Sequence, residues 1–246
     1  MVMKIALIGY GNMGQELGRF IEEQKKHEIA SVSFRNMSDS LDKAGIKKAD
    51  IAIDFTSPEI IEATIKTVAR IGIPIVVGTT GWYDKLPKVK KIVEKNKIGL
   101  IYGGNFSIGA NIFFSVVEHA GMFCSKYSSY DVFGYEIHHT GKKDSPSGTA
   151  RKLASLIMKN FPTKKTLQTG KLDRKIQSSE LHFASIRGGR NPGLHEVIFD
   201  SLADEIRLVH YAHGRRGFAE GAIMAAEFIK NKKGLYEFAD LFKKRK

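Results

Sequence analysis

A short apolar run, Lys4-Ile5-Ala6-Leu7-Ile8, passes straight into Gly9-Tyr10-Gly11-Asn12-Met13-Gly14 and then into a helical pattern. A strand, three glycines in G-x-G-x-x-G spacing and a helix leave the backbone little choice. One glycine lets the chain turn tightly off the strand, another lets backbone N–H groups approach a pyrophosphate, and a later one lets the helix pack close to the sheet. The helix start contributes unpaired N–H donors and the positive end of a dipole. Glycine-rich turns are common, so the spacing alone says little. Its place between the first strand and the first helix favours dinucleotide binding over a plain turn.

The first hundred residues alternate between β-rich and helical segments. Candidate strands run over 4–9, 28–34, 49–55, 73–79 and 98–103. They are rich in Ile, Val and Ala with little polar alternation, as strands covered on both faces must be. Helical patterns lie between them, such as 13–26 and 58–71, the second opening on Ser57-Pro58-Glu59 as an N-cap with proline at the first helical position. Such β–α units imply right-handed crossovers and a Rossmann-type, doubly wound parallel sheet. After Asn105 the pattern changes to a helix over 108–124, a strand over 130–138, a loop, and a helix over 149–160. Strands near 181–187, 194–200 and 205–212 then follow in close succession, which predicts a second α+β domain with a mixed or antiparallel sheet. A last helix over 217–230, with Phe218, Ala222, Ala225, Ala226 and Ile229 on one face, can return to the first domain. The expected division is therefore 1–107 with 215–246, and 108–214.

Composition narrows the function classes. The 246 residues are 42% hydrophobic and 26% charged, as in an ordinary globular protein. No apolar run approaches the ~20 residues that span a bilayer, and the N-terminal stretch lacks the form of a secretory signal. A single cysteine, Cys124, sits in an apolar stretch and reads as core filler, which agrees with a reducing cytoplasm. The net charge of +13 allows a nucleic-acid reading. However, the lysines are dispersed, the one dense run is Lys243-Lys244-Arg245-Lys246, and no nucleic-acid-binding motif is present. A positive field equally suits a polyphosphate cofactor and an acidic metabolite, with no nucleic-acid or membrane partner.

Two kinds of strand end bear on the cofactor. The second strand finishes in Ser33-Phe34-Arg35-Asn36, without the acid that would hold an adenosine ribose. Arg35 can instead pair with a 2′-phosphate, which tilts the reading towards NADPH over NADH, although an ordinary exposed arginine would look the same. Gly78-Thr79-Thr80-Gly81 and Gly103-Gly104-Asn105-Phe106 lie where parallel strands finish, the edge at which such sheets bind ligands.

The segment richest in chemistry is Glu136-Ile137-His138-His139-Thr140-Gly141-Lys142-Lys143-Asp144-Ser145-Pro146-Ser147-Gly148-Thr149-Ala150. Two histidines end a strand and point to opposite faces. Ser147, Gly148 and Thr149 look like an anion cradle of hydroxyls and helix N-terminal amides. Nearby lysine and histidine can balance a second carboxylate or supply a proton, and His138 with an ordinary pKa would suit proton relay. A polar loop with an N-cap is the plainer reading. Adjacent histidines without further ligands at finger-like spacing speak against zinc, so no metal is expected.

This segment resembles the signature of the 4-hydroxy-tetrahydrodipicolinate (dihydrodipicolinate) reductases, Glu-x-His-His, a short spacer, then Lys-x-Asp-Ala-Pro-Ser-Gly-Thr-Ala. The similarity extends to the glycine turn, Asp54-Phe55-Thr56 with Pro58, Gly78-Thr79-Thr80-Gly81, Asn105-Phe106-Ser107, Gly188-Gly189 with His195-Glu196, and Phe218-Ala219-Glu220-Gly221-Ala222. The resemblance implies NAD(P)H-dependent reduction of a cyclic dicarboxylate on the diaminopimelate route to lysine. It implies that His138 handles the proton, that Lys142 donates it, that His139 contacts substrate, and that Gly148 and Thr149 bind a carboxylate. Gly9, Tyr10, Gly11, Asn12 and Met13, then Gly78, Thr79 and Thr80, then Gly103, Gly104, Asn105 and Phe106 would line the cofactor. Arg35 falls where some members meet the 2′-phosphate. A homotetramer is implied as well, with 108–214 as the substrate-binding and oligomerisation domain. Ser145 stands where the signature has alanine, Ile137 where it has a small residue, and Phe34 where many members carry the acidic ribose ligand.

Overall fold

In β1 (Lys4–Ile8), Ile5 and Leu7 face one side, Ala6 and Ile8 face the other, and all four are buried. A strand of this kind needs cover on both faces, and the rest of its unit supplies it. The computed structural model describes residues 2–34 and 41–242. It divides into two units, Met1–Ile108 with Arg215–Lys246, and Gly109–Gly214.

In the first unit β1 is followed by α1 (Asn12–Gln24), β2 (Glu28–Ser33), α2 (Lys43–Ile46), β3 (Ile51–Asp54), α3 (Ile61–Ile71) and β4 (Ile75–Val77). A 3-10 turn at Tyr83–Lys85, α4 (Leu86–Asn96) and β5 (Gly99–Tyr102) continue the alternation. After the second unit, whose elements run from α5 (Ile108–Cys124) and β6 (Asp131–His138) through α6 (Gly148–Asn160), β7 (Thr166–Gln168), β8 (Glu180–Arg187), β9 (Leu194–Asp200) and β10 (Glu205–Tyr211), the chain returns as α7 (Arg216–Ile229) and β11 (Gly234–Glu237).

The first sheet has the order β11-β5-β4-β3-β1-β2 and every pair is parallel. Chain order reverses between β1 and β3, the point at which doubly wound sheets bind ligands beyond their C-terminal strand ends. Ile5, Leu7, Ile53, Val76 and Ile101 pack with α1 and α7 on one face, and Ala6, Ile8, Ala52, Ile75, Val77 and Leu100 pack with α2, α3 and α4 on the other. The helix predicted over 217–230 thus returns to the first sheet.

The second sheet is mixed, with order β10-β9-β6-β8-β7. Its β6, β8 and β7 are parallel, while β9 runs antiparallel to both β6 and β10. Val132, Leu181, Phe183, Val197 and Phe199 form a core with Phe113, Phe114 and Val117 of α5 and Leu153, Ala154 and Ile157 of α6. The opposite face is open. Phe133, Ile186, Val209 and Tyr211 are exposed there, and Glu196 joins the Tyr135 hydroxyl to Arg207 across three strands. Cys124 is buried, as core filler would be. Among the described residues no helix is long and apolar enough to cross a membrane.

Three local readings need correction. The helix expected from Pro58 begins at Ile61, because the Ile60 amide bonds to the Ser57 carbonyl in a preceding turn and the Ser57 hydroxyl is engaged with the Glu59 carboxylate. β7 and β11 have no counterpart among the predicted strands. Both are edge strands of three or four residues without the long apolar run that marks a central one.

Gly221 on α7 lies against the chain that follows β5, where a β-carbon would stand 1.8 Å from the Phe106 carbonyl oxygen. Gly221→Ala must displace the helix or that loop, at about 1–3 kcal/mol. The expected result is a melting temperature lower by roughly 3–10 °C, checked by circular dichroism against the parent chain.

Candidate active site

The glycine turn has the form that its spacing predicts. Gly9 adopts φ +87°, and a β-carbon there would lie 2.4 Å from the Phe55 carbonyl oxygen. Gly14 sits so close to the Gly9 carbonyl that a β-carbon would approach to 2.1 Å, while Gly11 faces open space. No side chain caps α1, so its first amides are left for another acceptor. An uncapped helix start over an open glycine fits a dinucleotide pyrophosphate. Asn12 and Thr80 are exposed, Met13 is half-buried, and the Tyr10 ring covers Gly18 while meeting Phe34 edge-on at 5.3 Å. Arg35 lies outside the described residues.

A buried carboxylate organises the neighbouring strand ends. Asp54 Oδ1, at the tip of β3, accepts from the Thr79 hydroxyl at 2.7 Å and from the Thr56 amide at 3.2 Å. The Thr79 carbonyl in turn accepts from Trp82 Nε1 at 2.8 Å. The Thr79 side chain and carbonyl are therefore part of the scaffold. The same holds for Phe106, which is buried between Phe55 and Phe238. Gly104 is exposed, Gly103 is buried, and Gly78 lies under the Phe55 ring. Asn105 Oδ1 accepts from the Ser107 amide at 2.8 Å.

In the second unit, His138 is buried at the end of β6 and His139 is half-buried on the other side of the strand. Beside them Glu136 has no solvent exposure. Its Oε1 accepts from the Ser147 amide, the Ser185 hydroxyl and Arg187 Nη2, each at 2.8 Å. Its Oε2 faces His138 Nδ1 at 3.2 Å and His195 Nε2 at 3.4 Å. The His138 approach is close enough for ion pairing but too oblique for a formed hydrogen bond. Burial opposes ionisation of Glu136, yet hydrogen bonds from His195, Ser147 and Arg187 outweigh it and hold the carboxyl below its ordinary range. Burial has the opposite result for His138. Its pKa is pushed down to about 4 despite the attraction of Glu136, helped by the charges of Lys142 and Arg187. His138 is thus neutral at pH 7, and the condition of an ordinary pKa is not met.

The loop after β6 carries the remaining groups. Lys142 Nζ pairs with Asp144 Oδ1 at 2.7 Å, and Asp144 also accepts from the Gly148 amide at the start of α6. Burial disfavours the charged Asp144, but these donors together lower its pKa. Ser147 caps α6 by accepting from the Ala150 amide at 3.1 Å. Gly148 is exposed, with nothing near the place of a β-carbon, and Thr149 is half-buried. His138, His139, Lys142, Gly148 and Thr149 therefore stand along one strand end, one loop and one helix start. Glu136, His138 and His195 also place one ligand atom each within 4.8 Å of one another, a donor set suited to a divalent metal. Arg187 on the same carboxylate opposes a second cation there.

Two family models divide the chain between them. The model described as dihydrodipicolinate reductase, N-terminus, matches residues 3–106, and the one described as dihydrodipicolinate reductase, C-terminus, matches residues 109–242. The chain belongs to the dihydrodipicolinate reductase family. The seam between the two family halves falls where the units part, at Ile108 and Gly109. Among the family's members, the chain is 37% identical to the 4-hydroxy-tetrahydrodipicolinate reductase of Christiangramia forsetii, over 97% of each chain. It is 33% identical to that of Rickettsia bellii, over 99% of this chain and 96% of the relative. The fold matches a dipicolinate-bound dihydrodipicolinate reductase from Paenisporosarcina sp. TG-14 with a TM-score of 0.80, at 23% identity, over 98% of this chain and all of that one, 100%. An amine dehydrogenase from Mycobacterium smegmatis shares the architecture with a TM-score of 0.62, at 8% identity, over 97% of this chain and 95% of that one.

Reading the family's signature along the chain leaves Arg187 unmentioned and gives His195 and Glu136 no task. Their meeting depends on β8 and β9 flanking β6, and no local spacing announces it.

The depressed His138 pKa has a consequence for stability. In the unfolded chain this histidine takes up a proton near pH 6.5, whereas in the folded chain it does so only near pH 4. Between those values the unfolded state binds more protons, so stability is full above about 6.5 and falls as pH drops towards 4. His210, lowered by burial and by His195, acts in the same direction. Urea midpoints measured from pH 7 to pH 4.5 should decline, and His138→Gln should flatten the slope.

Proposed function

We propose that the chain is an NAD(P)H-dependent 4-hydroxy-tetrahydrodipicolinate reductase, an oxidoreductase of the diaminopimelate route to lysine. It converts (2S,4S)-4-hydroxy-2,3,4,5-tetrahydrodipicolinate to tetrahydrodipicolinate. The observation that carries this reading is the gathering of His138, His139, Lys142 and the start of α6 in one unit of a chain that spans both family halves.

The glycine turn and the uncapped α1 would hold the pyrophosphate of a nicotinamide dinucleotide, and Gly78 to Thr80 and Gly103 to Phe106 would be further contacts for it. When bound, that group supplies the hydride, which goes to the ring carbon conjugated with the imine once the substrate's hydroxyl has left as water. The protein must then deliver a proton to the adjacent carbon. Lys142 is the donor, and its positive charge stabilises the negative charge that builds up on the ring. Gly148 and Thr149 hold one carboxylate at the α6 N-terminus, and His139 contacts the substrate. A neutral His138 accepts a hydrogen bond or a proton near this group. NADPH is the favoured cofactor over NADH, since Phe34 at the tip of β2 offers no carboxylate to a ribose and Arg35 follows it. The open, apolar face of the second sheet suits pairing with further copies in a homotetramer, and the protein acts in the cytoplasm.

A coupled assay with freshly generated hydroxy-tetrahydrodipicolinate, run with each nicotinamide in turn, tests the reading. Oxidation of NADPH only when the cyclic dicarboxylate is present is the expected result, and no turnover with either nucleotide would end it. Lys142→Ala should lower turnover by about 10²- to 10⁴-fold with NADPH affinity unchanged, and near-normal turnover would remove Lys142 from the mechanism. Val209→Glu on the open sheet face should convert a sedimenting tetramer into smaller species.

A further inference from the structure

The geometry points to Glu136 as the residue that fixes which nitrogen of His138 carries its proton, a positioning role that rests on reading His138 as the proton-handling group. The two oxygens of Glu136 have separate partners. Oε1 is saturated by the Ser147 amide, the Ser185 hydroxyl and the Arg187 guanidinium, so it is tied to the start of α6 and to β8. Oε2 turns towards His138 Nδ1 and His195 Nε2. An ionised carboxylate accepts and cannot donate. The nitrogen that faces it is therefore favoured as N–H, which leaves the lone pair of neutral His138 on Nε2.

The other side of the ring agrees with this assignment. Nε2 lies beside Gly193, where a β-carbon would stand 3.1 Å away, so a side chain at that position would crowd this nitrogen. Nδ1 already lies 3.2 Å from Oε2, and catalytic hydrogen bonds are commonly loose before substrate binds. His195 meets His138 edge-on, with ring centroids 5.1 Å apart, and its Nε2 also lies 3.2 Å from the Ser147 hydroxyl that caps α6. One carboxylate thus sets both the helix start that cradles an anion and the tautomer of the ring beside it.

The test is nitrogen-15 NMR of the imidazoles in the whole protein at neutral pH, with His138 assigned by its loss in His138→Gln. The expected spectrum shows a protonated Nδ1 and an unprotonated Nε2, and the reverse would overturn the proposal. In Glu136→Gln the three donors keep the amide oxygen on their side, so the new NH₂ faces Nδ1 and drives the proton to Nε2. Turnover should then fall roughly 10²-fold or more, as with a catalytic histidine held in the wrong tautomer, while NADPH affinity stays unchanged. A variant that folds and keeps the parent tautomer, or turns over within twofold of the parent, would refute the role. If the variant fails to fold, the tautomer of the parent protein decides alone. Undiminished turnover in His138→Gln would instead overturn the catalytic reading of His138, a result separate from the tautomer measurement.

Discussion

The second unit is arranged around one negative charge kept out of water. An isolated buried carboxylate is several kcal/mol unfavourable, and Glu136 persists because a guanidinium, a backbone amide and a hydroxyl converge on one of its oxygens. Those donors come from β8 and from the start of α6, and His195 comes from β9. Only a sheet in which β6 lies between β8 and β9 brings them together. The position of the α6 N-terminus follows from that placement, whereas His138 is neutral because burial outweighs the attraction of Glu136.

The first unit uses the same device at a different place. Asp54 ends β3 as a fully buried acid and gathers Thr56 and Thr79 from two adjacent strand ends. The start of the Gly78–Gly81 turn is tied to this network. In both units a buried acid near the C-terminal end of a strand anchors the loop beside it through several hydrogen bonds at once.

Much of this was legible in the sequence where periodicity is long and local. The helix over 108–124 and the strand over 194–200 match the structure to the residue, and the tight turn and the close helix approach expected of the glycine run are present at Gly9 and Gly14. Short edge strands such as β11 were not visible, because four half-buried residues carry no pattern. The start of α3 was misread because Ser57 and Glu59 satisfy each other instead of the helix. At the candidate site, the residues that share a strand or loop were named, and those that arrive through tertiary pairing, Arg187 and His195, were not given roles. The lowered pKa of His138 is not legible for a related reason, since burial is a property of the fold and not of the residue.

The ion pair between Lys142 and Asp144 changes how the protein's charge is felt by a ligand. An approaching anion does not meet a bare ammonium, because that ammonium already has a partner that also rests on the helix start. A carboxylate that displaced Asp144 would exchange one such contact for another, and dissolved ions screen both contacts alike. Salt would then weigh on that exchange far less than a net charge of +13 suggests.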